Sequence, residues 1–159
     1  MSLNMQFPTL LFAVLFATVC LGDRCSISLS VNGGTYQGYS VGFSTVEGSP
    51  SIKCAMVGSG GNEVPVPFDG THILDDFRTS AASWYDVKLG DGSTMPCLTF
   101  ESRSVEAVKA TFAIVGDQFS TTQGQLAVCA IGNQYLLSLN QVDGDCQPVN
   151  LIVMEGCTD

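Results

Sequence analysis

The sequence predicts an all-β protein: an antiparallel β-sandwich, or a closed β-barrel, of about eight or nine short strands stabilised by disulfides. Three observations carry this expectation. Apolar and polar residues alternate over short runs, as in Ile27, Leu29 and Val31 against Ser26, Ser28 and Ser30. Glycine, asparagine and aspartate separate the runs at regular spacing, with no βαβ alternation. An even set of cysteines follows an export-type amino terminus. The sandwich is favoured over the barrel because the strands are short and pair as local hairpins.

The amino terminus sets the compartment. Phe7 to Leu21 is apolar and shorter than the roughly 20 residues a membrane-spanning helix needs, and Cys20 and Gly22 supply small residues for cleavage before Asp23. Residues 1–22 therefore read as a secretory signal peptide and 23–159 as a single disulfide-rich β domain, secreted and extracellular, with no membrane anchor.

Along the mature chain, Cys25 to Val31 is the first strand, Asn32 to Gly34 a turn, and Thr35 to Phe43 the returning strand of a hairpin. Ser51 to Val57 is the next strand, after Glu47 to Pro50. Gly58 to Asn62 is a polar loop. Glu63 to Phe68 carries alternate prolines that cannot donate to a ladder and belongs at an edge. Thr71 to Ser80 is a loop or a single helical turn. Ser83 to Leu89, Gly90 to Ser93 and Met95 to Phe100 form strand, turn and strand. Ser104 to Val115 fits both periods; its β-branched content favours a strand in the second half, after a short helical start. Gly116 to Gly124 is a connector. Gln125 to Asn140 is the clearest hairpin, two apolar runs flanking Gly132 and Asn133. Val149 to Met154 is a last strand.

Removal of the signal segment leaves Cys25, Cys54, Cys97, Cys129, Cys146 and Cys157, which predict three bridges. Their connectivity is not readable from sequence, although Cys146 and Cys157 bracket a segment short enough to close a local loop. No C-x-x-C pair suggests zinc. The chain carries a net charge of −9 with scattered basic residues, which disfavours nucleic acid and anionic lipid headgroups as partners.

Chemistry-bearing residues are few. His72 is the only histidine, with Asp75 and Asp76 following, but no nucleophile motif accompanies it. Asp143, Gly144 and Asp145, or Asp69 with Asp75 and Asp76, offer oxygen ligands without the run of an EF-hand, and read as solvated turns. Trp84 and Tyr85 are adjacent in a strand, so Trp84 packs inside and Tyr85 faces out. No catalytic residue, cofactor or metal site is expected. The candidate recognition surface is Tyr36, His72, Asp75, Asp76, Tyr85 and Tyr135, with function placed on the loops Gly58 to Asn62, Asp69 to Ser80 and Gly116 to Gly124.

With its signal peptide, six spaced cysteines and lack of a catalytic motif, the chain resembles the small secreted cysteine-rich, effector-like proteins exported by plant-colonising fungi and similar microbes. Locally, Glu63 to Gly70 followed by Trp84 to Cys97 resembles elements of the MD-2-related lipid-recognition sandwich. That family would end near the strand of Cys97, so no residue is carried over. The expected function is a non-enzymatic binding protein that contacts a host or extracellular partner, protein or glycan. The alternative is a carrier of a lipid or other apolar small molecule, and the third reading is a small secreted hydrolase.

Overall fold

The computed structural model describes residues 25–58, 65–101, 107–141 and 144–155. The segment read from sequence as a signal peptide, most of the Gly58 to Asn62 loop, the helical start expected after Ser104, Asp143 and Cys157 lie outside the described residues. Within them the chain is all-β and antiparallel, with thirteen strands rather than the expected eight or nine. They are β1 (Ser26–Asn32), β2 (Ser40–Val46), β3 (Ser49–Gly58), β4 (Val66–Pro67), β5 (Ser83–Lys88), β6 (Thr94–Thr99), β7 (Val108–Lys109), β8 (Phe112–Val115), β9 (Gln118–Thr121), β10 (Leu126–Ile131), β11 (Gln134–Leu139), β12 (Cys146–Pro148) and β13 (Asn150–Glu155).

One path of hydrogen-bonded neighbours runs β12-β10-β11-β3-β2-β1-β13-β9-β8, and it forks at two strands. At β1, Ser30 pairs with Ser40 of β2 while Ser26 and Ile27 pair with β4. At β3, Met56 pairs with Leu136 of β11, whereas Cys54 pairs with Thr99 of β6, which leads on to β5 and β7. Two arms, β11-β10-β12 and β6-β5-β7, thus diverge from the same strand.

The alternation of side chains along β3 explains why it can hold both arms. Ala55 and Val57 enter the main core with Ile27, Leu29, Val31, Leu98, Val128 and Leu137. Cys54, with Ile52 and Met56 beside it, enters a smaller core with Val46, Val87, Leu89, Cys97 and Leu136. Neighbouring strands split in the same way: Leu98 and Leu137 go to the main core, Cys97 and Leu136 to the smaller one. In the main core, Phe112 stacks on Phe119 at 4.7 Å between ring centroids, and Phe119 meets Phe68 edge-on at 5.8 Å.

Several expectations need correction. The first hairpin is slight, because β1 meets β2 at a single pair and forms its longer ladder with β13, five registered pairs from Ser28↔Glu155 to Asn32↔Asn150. Hydrophobic alternation reveals a strand but not its neighbour. The hydroxyl face of β1 is not solvated: Ser28 and Ser30 are buried, and the Ser30 hydroxyl donates to the Tyr39 carbonyl at 3.2 Å. Gly116 to Gly124 is no simple connector, since β9 returns along β8 in four registered pairs. Cys146 bonds Cys129 across β10 and β12, so the local Cys146–Cys157 loop does not form. Short strands such as β12 and β9 carry too little periodicity to be separated from turns. The strand in the second half of Ser104 to Val115 is present as β8, and Pro50 sits where the β2–β3 ladder shifts register, a position that needs no amide donor.

Trp84 packs in the main core as expected, and its indole N–H donates to the Gln123 side-chain oxygen at 3.2 Å. That oxygen also accepts from the Thr111 amide at 2.9 Å, while the Gln123 amide nitrogen donates to the Lys109 carbonyl at 2.8 Å. Truncation of Gln123 strands a buried donor. Gln123→Ala is expected to lower unfolding free energy by about 1–3 kcal/mol, read by urea denaturation with Trp84 fluorescence as the probe. An unchanged midpoint would show that the indole finds another acceptor.

Candidate functional site: the cleft at the mouth of the fork

Of the two arms that leave β3, the β6 arm is tied to it by the Cys54–Cys97 disulfide, and the two arms meet where the Ser138 hydroxyl of β11 donates to the Pro96 carbonyl of β6 at 2.6 Å. Between their outer ends lies a cleft of about 610 Å³. Its walls are the β2–β3 turn at Glu47, the β5–β6 turn from Leu89 to Ser93 with Met95, the end of β10 with Gly132, and Gly144 to Cys146 leading into β12. Leu89 belongs to the smaller core, and Met95 and Ile131 pack against it, so the cleft floor is the solvent edge of that core. Glu47, Asp91 and Asp145 are exposed at the rim.

The β2–β3 turn holds the two arms in register. On one side, the Glu47 amide donates to the Gln134 side-chain oxygen at 2.9 Å and the Gln134 amide group donates to the Thr45 carbonyl at 3.0 Å. On the other, the Ser49 hydroxyl donates to the Lys88 carbonyl at 2.7 Å. Gly48 has φ +89° and lies against the next turn so closely that a Cβ would stand 2.5 Å from the Gly90 amide nitrogen. Gly132 has φ +56°, the single positive value of the β10–β11 turn, as a II′ hairpin requires at its first central residue. At the rim, the Asp91 carboxylate accepts from the Ser93 hydroxyl at 2.6 Å and from its amide at 2.9 Å, and these bonds hold the Asp91 carboxyl below the usual aspartate range.

The residues singled out from sequence fall in three places. Tyr36 and Tyr135 meet, with ring centroids 5.1 Å apart, and Tyr39 completes an aromatic trio. Tyr36 is 7% exposed, part of the main core rather than an open surface. Burial, with Tyr135, Asp145 and Tyr39 nearby, raises its phenol above the ordinary tyrosine value. Tyr85 does not face freely outward either; it is half-buried against the smaller core. His72, Asp75 and Asp76 lie in a third region, the paired turns between β4 and β5.

There the carboxylate beside His72 is Asp69, not Asp75 or Asp76. Asp69 accepts from the His72 Nδ1 at 3.0 Å, and also from the His72 and Thr71 amides at 2.6 and 2.9 Å. Burial pushes the Asp69 carboxyl up, but the bonds from His72 and Thr71 outweigh it, and the net position is below the usual aspartate range. Asp75 braces the next turn, accepting from the Thr79 amide, the Thr79 hydroxyl and the Ser80 amide at 2.7, 2.9 and 3.2 Å. Its slight burial raises the carboxyl, and the bonds from Thr79 and Ser80 more than offset this, lowering it overall. Arg78 takes a left-handed φ of +56° inside this turn, and Phe77 at its tip is 84% exposed. Among the described residues, Asp69 is the one side chain hydrogen-bonded to the His72 ring, and no three His, Cys, Asp or Glu side chains converge as metal ligands.

Glu47, Asp91 and Asp145 were not among the candidate recognition residues. Their signal was present in pieces, since Glu47-Gly48, Gly90 to Ser93 and Gly144-Asp145 each read as turns. Their convergence depends on pairings between distant strands, which periodicity does not encode. No family model, curated protein or solved structure matches the chain.

The lowered Asp69 and Asp75 carboxyls make the β4–β5 turns acid-sensitive. A folded-state value below the unfolded one means that the unfolded chain binds more protons, so stability rises with pH in this window and falls as the solution is acidified. The contribution is complete above the unfolded aspartate value and is lost as pH drops through the lowered folded values, below about pH 4. Asp75→Asn is expected to lose less stability than the parent between about pH 5 and pH 2 in denaturant titrations, by a small margin because Asp75 is solvent-screened. Parallel losses in the two proteins would contradict the assignment.

Proposed function

We propose that the protein is a secreted, non-enzymatic binding protein, effector-like in its setting, whose fork-mouth cleft holds a cationic and partly apolar segment of an extracellular host protein. The observation that carries this reading is the cleft itself: about 610 Å³, with Leu89, Met95 and Ile131 below and three carboxylates at the rim. An apolar floor favours an aliphatic or aromatic side chain, and the rim favours Lys or Arg beside it. The disulfides, and the lack of any described helix long and apolar enough to cross a membrane, are compatible with an extracellular protein. The two cores on opposite faces of β3 support a layering of the arms on a curled antiparallel sheet.

Recognition is favoured over the carriage of an apolar ligand, because the rings of Phe68, Phe112 and Phe119 occupy the space between β4, β8 and β9 that such a ligand would need. It is favoured over hydrolysis because the His72 ring bonds Asp69 with no hydroxyl or thiol nucleophile hydrogen-bonded to it among the described residues.

The test is calorimetric titration with short peptides that carry alternating basic and aromatic residues, against acidic counterparts of the same length. Basic peptides are expected to bind, and to lose affinity severalfold between about 0.05 and 0.5 M salt. Glu47→Lys combined with Asp145→Lys should abolish the signal. Binding that survives both charge reversals would place recognition elsewhere.

A further inference from the structure

The two disulfides with both cysteines described sit in opposite settings. Cys54 and Cys97 are both 0% exposed, enclosed in the smaller core at the base of the fork. Cys129 and Cys146 face each other in register on β10 and β12, and both line the cleft. Within this pair Cys129 is 1% exposed, whereas Cys146 is only half-buried. Strand β12 has three residues, ends the sheet order and, among the described residues, pairs with β10 alone. Thiol–disulfide exchange needs a thiolate to reach a sulfur, so access decides which bridge reacts. The cleft gives that access to Cys146.

We propose that the Cys129–Cys146 bridge is a thiol-exchange site, attacked at Cys146 from the cleft and opened while Cys54–Cys97 stays closed. The incoming thiolate forms a new S–S bond to Cys146; the Cys129–Cys146 bond breaks, and Cys129 leaves as a thiolate that takes a proton from solvent. A second thiol then attacks the mixed disulfide and releases Cys146 as a thiol. Two electrons reduce the protein, and the two thiols, or one dithiol, are oxidised to a disulfide.

The rim selects the class of thiol. Glu47, Asp91 and Asp145 flank the approach to Cys146, so their field attracts a cationic thiol and repels an anionic one. Opening the bridge also loosens a wall of the cleft. Without it, β12 is held to β10 by three registered pairs, with the Ala130 amide to the Asp145 carbonyl at 3.0 Å before them and the Val149 amide to the Leu126 carbonyl at 2.9 Å after. The site does not depend on the cleft's having a protein ligand, because reduction is read on the protein alone.

The experiment treats the oxidised, folded protein with cysteamine or 2-mercaptoethanesulfonate at matched thiolate concentration, quenches with an alkylating agent and locates the label by mass spectrometry. Cys129 is expected to be alkylated at least about tenfold faster than Cys54 and Cys97, with the first cysteamine adduct on Cys146. Cysteamine should outpace the sulfonate, and the ratio should shrink towards one as salt rises from about 0.01 to 1 M. Opening of Cys54–Cys97 at an equal or greater rate, a first adduct on Cys129, or equal rates for the two thiols at low salt would each overturn the proposal.

Discussion

Over Cys54 to Val57, strand β3 sends side chains into a core on each face and must satisfy two sets of neighbours on one edge. Its inner end is shared between β11 at Met56 and β6 at Cys54, and this fork is possible only if the two arms are kept from sliding past each other. The Cys54–Cys97 disulfide fixes that point. The bridge spans 43 residues of sequence, for which loop-closure entropy contributes on the order of 4 kcal/mol, model-dependent but large beside the stability of a small domain. Because both sulfurs lie among Val46, Val87, Leu89 and Leu136, the covalent tie and the hydrophobic contact act at the same place.

A fork closed at its base must open at its mouth, and what fills the opening determines what the protein can do. The β2–β3 turn enters between the arms as a spacer: Gln134 binds it to the β10–β11 side, and Ser49 and Gly48 set it against the β5–β6 side. Apolar side chains from the smaller core reach only part of the way out, leaving a floor with a carboxylate rim. A rigid base with a preformed cleft keeps the ordering cost of binding low. The second bridge, Cys129–Cys146, is of the other kind, placed where solvent reaches it and where the strand it holds has a single neighbour.

The class of fold was legible because alternation is a local property. Ile27, Leu29 and Val31 face inward as their spacing implies, the Gln125 to Asn140 hairpin turns at Gly132, and Trp84 packs inside. Strand partnership was not legible. Nothing local to β1 says that Leu151 to Val153 will pair beside it, or that Ser28 and Ser30 will be covered. The same limit governs the site. His72 was visible as a lone histidine, but Asp69 became its partner through a turn closed by backbone amides, while Asp75 was consumed in bracing the neighbouring turn. Tyr36 read as a surface aromatic, yet the β1–β2 connection folds it onto Tyr135 of β11. The cleft unites four turns separated by up to a hundred residues, and only the fork at β3 brings them together.

Strand β3, clamped by Cys54–Cys97 and packed on both faces over Cys54 to Val57, is the strand on which the rest of the sheet is assembled. Native-state hydrogen exchange tests it most directly, because amides there should open only with global unfolding. In the oxidised protein the amides of Ala55, Met56 and Val57 should exchange most slowly of all, with β12 and β8, at the two ends of the sheet order, exchanging through smaller openings. If β3 exchanged as fast as those end strands, or if the slowest amides clustered in β9 and β13 instead, the fork would not be the foundation of this fold.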